Sequence, residues 1–357
     1  MKKANAHTTP YKMQRGLRRA VRRVLLLKKT SRLDYERRRY AQYNEESFKA
    51  KLLSIGSDYD GLLLRHEQHE DSVNEVHQSL LSRGVEVLLR QRETITKDDI
   101  SSSDVLISAG GDGNFLAAAS RVLRPDKLVI GINTDPEKSE GHLCITPTAE
   151  HSISSIIDYI MENRLNLIHR QRIHVSINGE GLPVLALNEA FIGDTDPSQV
   201  SYFELISDGG EWLKTRNSGM LVYTGTGSTS WAYNINKLST AAISRLLEIA
   251  KSSGAVSFNE DLDTTVEKIT ALYNSSNVLS GSEDGFMSYI IREQIERGIT
   301  NPTISQSGIC SKLKVRSRSW NNKIIVDGQR LYEFPNGSEA TFTLGDQYKL
   351  LTASLPI

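Results

Sequence analysis

Cysteine is nearly absent from this 357-residue chain, which holds only Cys144 and Cys310. Two cysteines cannot build a disulfide framework, and their positions show no metal-ligand spacing, so a reducing compartment fits best. Long apolar runs are missing too. The longest candidates, Val24–Leu27 and Val184–Leu187, fall far short of the roughly 18 residues that a membrane-crossing helix needs, so no membrane partner is expected. Several familiar signatures are absent: the Gly-x-x-x-x-Gly-Lys-Ser/Thr phosphate loop, the Gly-x-Gly-x-x-Gly dinucleotide fingerprint and the His-Glu-x-x-His zinc helix. Ser228 lacks the nucleophile elbow of a hydrolase. His66 and His69 stand three residues apart without an evident third ligand. They read as a solvated helix face, and no protein-held metal is expected. What remains, at 38% hydrophobic and 24% charged residues, is an ordinary globular composition long enough for two domains with sizeable cores.

Acidic residues are absent from the first 33 positions, which hold eleven basic ones. The formal net charge of zero therefore hides a body with 32 basic and 43 acidic residues, a net of −11. An acidic body has no basic groove to neutralise phosphates, so no nucleic-acid partner is expected. Met13, Leu17, Val21 and Val24 recur at helical spacing, with Arg15, Arg18, Arg19, Arg22 and Arg23 mostly between them. An Arg-rich, acid-free amphipathic segment over residues 1–33 is the pattern of a mitochondrial transit peptide and implies the matrix. A basic extension or a membrane-surface helix is the alternative. Val24–Leu27 either ends this leader or opens the first strand.

Beyond the leader, strands alternate with helical patterns. Val73, Val76, Leu80 and Leu81 share a helical face ended by Gly84. Val85–Leu89, Asp104–Ser108 and Leu128–Ile132 read as strands, and a helix follows from Asn114 to Leu123. This predicts an α/β domain with a doubly wound parallel sheet over 34–150, completed by the tail at about 345–357. From about residue 165 the texture changes to short alternating runs. Turn pairs stand at Asn178–Gly179, Asp208–Gly209, Asp327–Gly328 and Asn336–Gly337. A β-rich second domain over 151–344 is expected, interrupted by helices near Thr240–Lys251 and Asp263–Tyr273.

Three words carry chemistry. Gly110-Gly111-Asp112-Gly113-Asn114 sits between a buried strand and a helix, where ligands bind in open α/β sheets. Glycines let backbone N–H groups approach a phosphate chain, and the helix N-terminus adds positive potential. Asp112 repels phosphate unless it accepts a proton from an attacking hydroxyl or helps hold phosphate-bound Mg²⁺; the bland reading is a capped glycine turn. Thr224-Gly225-Thr226-Gly227-Ser228-Thr229-Ser230-Trp231 is either a turn or a loop whose hydroxyls face a polar ligand, with Trp231 as a stacking face. Asn188-Glu189 ends an apolar run and either holds a ribose diol or base edge or forms a solvated turn. Asn133 closes a strand beside the glycine loop, and Asp327-Gly328 reads as a hairpin turn.

A glycine loop with Asp112, an Asn-Glu pair, the loop 224–231 and a late Val326-Asp327-Gly328 turn, in that order, resemble the NAD kinases. The resemblance runs from about residue 35 to the end, and the words at 131–144, 170–175 and 186–193 point to the mitochondrial branch found in animals. It implies an active site between the two domains and transfer of the γ-phosphoryl of ATP to the 2′-hydroxyl of the adenosine ribose of NAD. Asp112 would be the base, with Gly110, Gly111, Gly113 and Asn114 at phosphates. Asn133, Asn188, Glu189, Thr226, Thr229, Ser230 and Trp231 would surround NAD. Mg²⁺ would arrive with ATP, and a homodimer is expected. The sequence departs from the family at Asn114, usually Thr, at Trp231, often Tyr, and in an insertion at 135–140. Arg170, Arg172, Lys214, Arg216 and Lys237 are unranked candidates for screening phosphate charge. The rivals are a lipid kinase sharing the glycine loop and a dinucleotide sensor without turnover.

Overall fold

Strand β1 (Arg23–Lys28) lies inside a parallel sheet, with a hydrogen-bonded neighbour on each side. The computed structural model describes residues 20–137, 141–196, 198–257, 261–279, 285–295 and 305–356. Within it, Val24, Leu25, Leu26 and Leu27 are wholly buried. The apolar run thus opens the first strand. A leader ending at residue 33 is corrected on this point, because a break there would remove β1. Met13 and Leu17 lie outside the described residues.

The chain continues through α1 (Arg32–Arg39), α2 (Glu45–Ser54), α3 (Tyr59–Leu81), β2 (Glu86–Gln91), α4 (Lys97–Ser102) and β3 (Val105–Ala109). It then forms α5 (Asp112–Ala119), β4 (Leu128–Ile132), α6 (Ile153–Met161) and β5 (Asn166–Arg170). Local sequence explains the helices. Ser31 and Asp34 form a capping box at α1. In α6, Ile153, Ile156, Ile157 and Ile160 fall on one buried stripe. With α3, that stripe covers one face of the sheet, and Phe115, Ala118 and Ala119 of α5 cover the other.

A second unit follows: β6 (Ile173–Ile177), β7 (Glu180–Ala186), β8 (Glu189–Asp194), β9 (Ser201–Ser207), β10 (Leu213–Asn217) and β11 (Gly219–Tyr223). Next come α7 (Trp231–Asn236), α8 (Thr240–Ser252), α9 (Leu262–Ser276), β12 (Met287–Arg292) and β13 (Ser307–Cys310). The unit closes with β14 (Lys312–Ser317), β15 (Asn322–Val326), β16 (Arg330–Glu333) and β17 (Glu339–Thr343), and β18 (Leu350–Ser354) ends the chain. Two antiparallel six-stranded sheets, ordered β10-β9-β14-β17-β6-β7 and β13-β12-β11-β8-β15-β16, enclose the larger core. Asn178, Asp208 and Asp327 have φ of 51°, 47° and 47° and each precedes a positive-φ glycine. These are the left-handed turns that tight hairpins require.

The first sheet is ordered β2-β1-β3-β4-β18-β5, parallel from β2 to β18 with β5 antiparallel at the edge. Because α6 and β5 pack with this sheet, the boundary falls between β5 and β6 rather than at residue 150. Strand order reverses between β1 and β3, the position at which doubly wound sheets open a ligand crevice. The glycine loop leaves β3 there. No helix among the described residues is long and apolar enough to cross a membrane.

Candidate active site

At the end of β3 the backbone turns sharply. Gly110 has φ +155°, and a Cβ there would lie 2.9 Å from Lys29 Cβ and 3.0 Å from Asn114 Cβ. Only glycine lets the loop lie this close to the end of β1. Gly111 is the N-cap of α5 and Asp112 its first residue. A Cβ on Gly113 would meet nothing within 4 Å, so that stretch is open to a ligand at the N-terminus of α5, where Asn114 N already donates to Gly111 O at 3.0 Å.

Asp112 is anchored by its surroundings. Leu143 N donates to its Oδ1 at 3.0 Å, which brings the segment after β4 back over the loop. Cys144 hydrogen-bonds the same carboxylate, and burial together with that negative charge pushes its thiol far up, keeping it protonated.

Asn114 turns inward. Its Nδ2 donates to Ser108 Oγ at 2.9 Å, Leu27 O at 3.1 Å and Ala109 O at 3.3 Å. This amide ties the loop to the ends of β1 and β3. Asn133 also bonds within the protein. It is buried, its Oδ1 accepts from Asp135 N at 3.1 Å and its Nδ2 donates to Thr146 Oγ1 at 3.3 Å.

The sandwich contributes the opposite wall. Asn188 and Glu189 lie where β7 passes into β8, and both are buried. Behind them stands Asp327, of the β15–β16 turn. Its Oδ2 accepts from Leu187 N at 2.9 Å, and its Oδ1 accepts from Asn188 N at 2.9 Å and Glu189 N at 3.0 Å. Burial raises the Asp327 carboxyl, and burial plus the nearby Asp327 charge raises Glu189 to about 7. Ser230 Oγ donates to Glu189 Oε2 at 3.2 Å and lies 3.3 Å from Asn188 Nδ2. Asn188 Oδ1 is buried without a partner, an acceptor aimed at something the protein does not supply. Gly227 is required by packing, since a Cβ there would fall 2.1 Å from Asn188 O.

Thr226 is buried, Thr229 is exposed and Trp231 is 38% exposed, packed on Phe191 at a ring separation of 5.0 Å. The structure thus gathers Asp112, Asn188, Glu189, Thr226, Ser230 and Trp231 around the junction of the two domains. Gln329 Nε2 reaches Gly113 O across it at 3.5 Å.

Among the unranked cations the structure separates two neighbours. Arg172 is fully buried and donates to Ala119 O, Val122 O, Tyr348 O and Lys349 O. It closes the C-terminal end of α5, with its guanidinium pushed down to about 9 by burial. Arg170 instead extends into the junction, where its Nη1 donates to Thr226 Oγ1 at 3.2 Å. Lys214 and Arg216 lie on β10, at the outer edge of a sheet. His69 also corrects an expectation: it is buried on α3, with Nδ1 2.8 Å from Thr134 Oγ1 and Nε2 2.9 Å from Lys29 O. His66, Asp34 and Glu70 cluster beside it, within 4.8 Å of one another, but Lys28 and Ser31 already bind Glu70 and His66.

Sequence reasoning missed Asp327 as more than a turn residue, Leu143 as a partner of Asp112, and the division between Arg170 and Arg172. Asp327 and Arg172 are set apart by burial and Leu143 by its bond to Asp112, and both are properties of the assembled fold.

A glycine loop with an anchored carboxylate on one domain and a buried acid–amide pair on the other thus border one domain junction, without a Walker-type phosphate loop. No family model matches the chain. NAD kinase 2, mitochondrial, of Homo sapiens is 36% identical over 376 residues, covering 93% of this chain and 84% of that protein. The namesake protein of Xenopus tropicalis is 33% identical over 389 residues, covering 93% and 90%. Of solved structures, an NAD kinase from Archaeoglobus fulgidus in complex with ATP superposes with TM-score 0.55 at 17% identity, covering 93% of each chain. Yeast NADH kinase complexed with NADH gives 0.56 at 14% identity, covering 95% of this chain and 85% of that one; at these identities the likeness shows the fold. The chain belongs to the NAD kinase family.

Proposed function

We propose that this chain transfers the γ-phosphoryl of Mg-ATP to the 2′-hydroxyl of the adenosine ribose of NAD, giving NADP, in the mitochondrial matrix. The observation that supports the reading is the anchored carboxylate of Asp112 at the start of α5, on a loop that Gln329 of the second domain reaches at Gly113 O. Asp112 accepts the hydroxyl proton, while N–H groups of the glycine loop face phosphate oxygens. The buried Glu189 and Asn188 take the sugar hydroxyls and base edge, and Trp231 offers a stacking face. Transfer of this kind needs positioning and charge neutralisation more than elaborate side-chain chemistry. A lone carboxylate beside backbone N–H groups is no cage for a divalent ion, which suits Mg²⁺ entering as part of the nucleotide substrate.

The basic, acid-free leader and the mitochondrial relatives support the location. The homodimer has support in apolar side chains on the outer helices and edge strand, with Leu246, Ile249, Leu272 and Ile309 each 55–69% exposed. Sedimentation of the purified chain tests it.

The deciding experiment measures NADP formation by the full chain with Mg-ATP, beside Asp112→Asn. The expected result is NADP from the wild type and a loss of about 10²–10⁴-fold in kcat for the variant. NAD binding without turnover would favour the sensor reading, and turnover unchanged in the variant would remove Asp112 from its role.

A further inference from the structure

We propose that Arg170 is the protein's cation for the transferred phosphoryl group, contacting its non-bridging oxygens as it passes from donor to acceptor. The inference rests on the kinase reading above and assigns a role to a residue outside its proton-transfer and ribose-binding sets. Arg170 is the last residue of β5, the edge strand of the parallel sheet. Its side chain leaves that sheet and reaches the loop of the other domain, where Nη1 donates to Thr226 Oγ1 at 3.2 Å. Its Nε is buried without a hydrogen-bond partner. Burial disfavours the guanidinium charge and the Asp112 carboxylate partly offsets this, so the two charges sense each other on the α/β side of the junction.

A desolvated guanidinium with an unused N–H is costly unless a ligand meets it. Arg172, two residues on, shows the alternative in the same chain: its donors are all directed at backbone carbonyls, and it faces no cleft. Arg170 has one hydroxyl partner and points between the proposed base and the NAD-binding loop. The planar fork of arginine matches two phosphoryl oxygens at once.

In the step itself, the 2′-oxygen forms a bond to the γ-phosphorus as the bond from that phosphorus to the β,γ-bridging oxygen breaks. The hydroxyl proton goes to Asp112, and ADP leaves with the bond's electron pair. Three non-bridging oxygens carry negative charge throughout. Arg170 neutralises that charge from the side opposite the backbone of the glycine loop, and in the product it holds the new 2′-phosphate.

The test compares Arg170→Met, Arg170→Lys and Thr226→Val in the full chain. Two readouts are taken: kcat and KM with NAD and Mg-ATP, and equilibrium binding of NAD and NADP by calorimetry. Arg170→Met is expected to lower kcat about 10²–10³-fold, with an intermediate loss for Arg170→Lys and partial recovery on adding guanidinium at non-denaturing concentration. It is also expected to weaken NADP binding about tenfold or more while changing NAD binding less than about threefold. Thr226→Val, which removes the hydroxyl partner and leaves the guanidinium, should act mainly on the KM for NAD. Equal weakening of NAD and NADP in Arg170→Met, or a Thr226→Val variant reproducing its whole kinetic loss, would mean that Arg170 only braces the loop and would overturn the proposal. A wild type that makes no NADP refutes the kinase reading, yet the NADP-to-NAD binding ratio still judges Arg170.

Discussion

The two domains bring different parts of the chain to their junction. On the α/β side the ligand-facing surface is backbone: Gly110, Gly111 and Gly113 clear side chains away, and the single acid, Asp112, is steadied by one N–H from Leu143. On the sandwich side the corresponding backbone is withdrawn. Asp327 takes three consecutive N–H groups inward, so that the side chains of Asn188 and Glu189 are what remain for a ligand. The difference divides the labour. Groups that must meet many phosphate oxygens are supplied by main chain, which offers donors without charge or rotamer freedom. On the proposed reading, groups that distinguish one nucleoside from another are side chains held rigid from behind.

Breaking the rear support of the sandwich wall should have the largest effect on stability. Asp327→Ala leaves three buried N–H groups without an acceptor, and at about 1–3 kcal/mol for each such group a loss of about 3 kcal/mol or more is expected. Asp112→Ala removes one acceptor near an open loop and should cost about 1 kcal/mol or less. Urea denaturation with unchanged m-values reads both. If the two variants lose equal stability, the contrast between a braced wall and an open loop is wrong.

A smaller effect is expected on the other side from Asn114→Ala, which takes away the amide that ties the loop to Leu27 O, Ser108 Oγ and Ala109 O. About 1–2 kcal/mol should be lost, with kcat falling because the loop loosens while NAD binding holds. An unchanged kcat in a destabilised variant would show that the loop keeps its shape from its glycines alone.

These residues also show how far the amino-acid sequence can be read. Strands with a continuous apolar run and a glycine or polar stop were legible: Leu128–Ile132 is β4 to the residue, and β3 ends one residue beyond its expected end. The hairpin turns were legible because Asn-Gly and Asp-Gly pairs have few alternatives to a left-handed backbone. Strand β1 stayed ambiguous, since its apolar core lies between basic residues that equally suit a leader. The words around Asp112, Asn188 and Glu189, in their order, made the family legible. The internal bonds of Asn133 and Asn114 were not legible, because an amide near a ligand loop is as well suited to bonding the protein as to bonding a ligand, and periodicity carries no record of direction. Asp327 shows the same limit in reverse. Its left-handed backbone, φ 47°, gave the turn, whereas its buried side chain organises residues some 140 positions earlier.

The mildest expected effect sharpens the comparison through pH, and its sign follows from burial. Glu189 has a carboxyl raised from 4.5 to about 7 by burial first and by the nearby Asp327 second. The folded protein therefore keeps a proton that the unfolded chain has already released above pH 4.5. The resulting stabilisation is complete below the unfolded value and is lost as pH rises through about 7. Glu189→Gln cannot titrate and keeps a side-chain oxygen for the Ser230 hydroxyl. It should lie close to the wild type near pH 5 and exceed it near pH 8 by about 1–3 kcal/mol, or roughly 2–10 °C in Tm. A variant less stable than wild type at pH 8 would mean that the ionised Glu189 is welcomed by partners on the sandwich side, and that this wall is charged rather than merely polar before ligand arrives. Scanning calorimetry at the two pH values decides between them, and the neutral outcome carries its own consequence for binding. A carboxylate that ionises only when sugar hydroxyls replace its lost solvation would release a proton as NAD binds below pH 7, so NAD affinity of the wild type, and not of Glu189→Gln, should fall as the solution is acidified from pH 8 to pH 6.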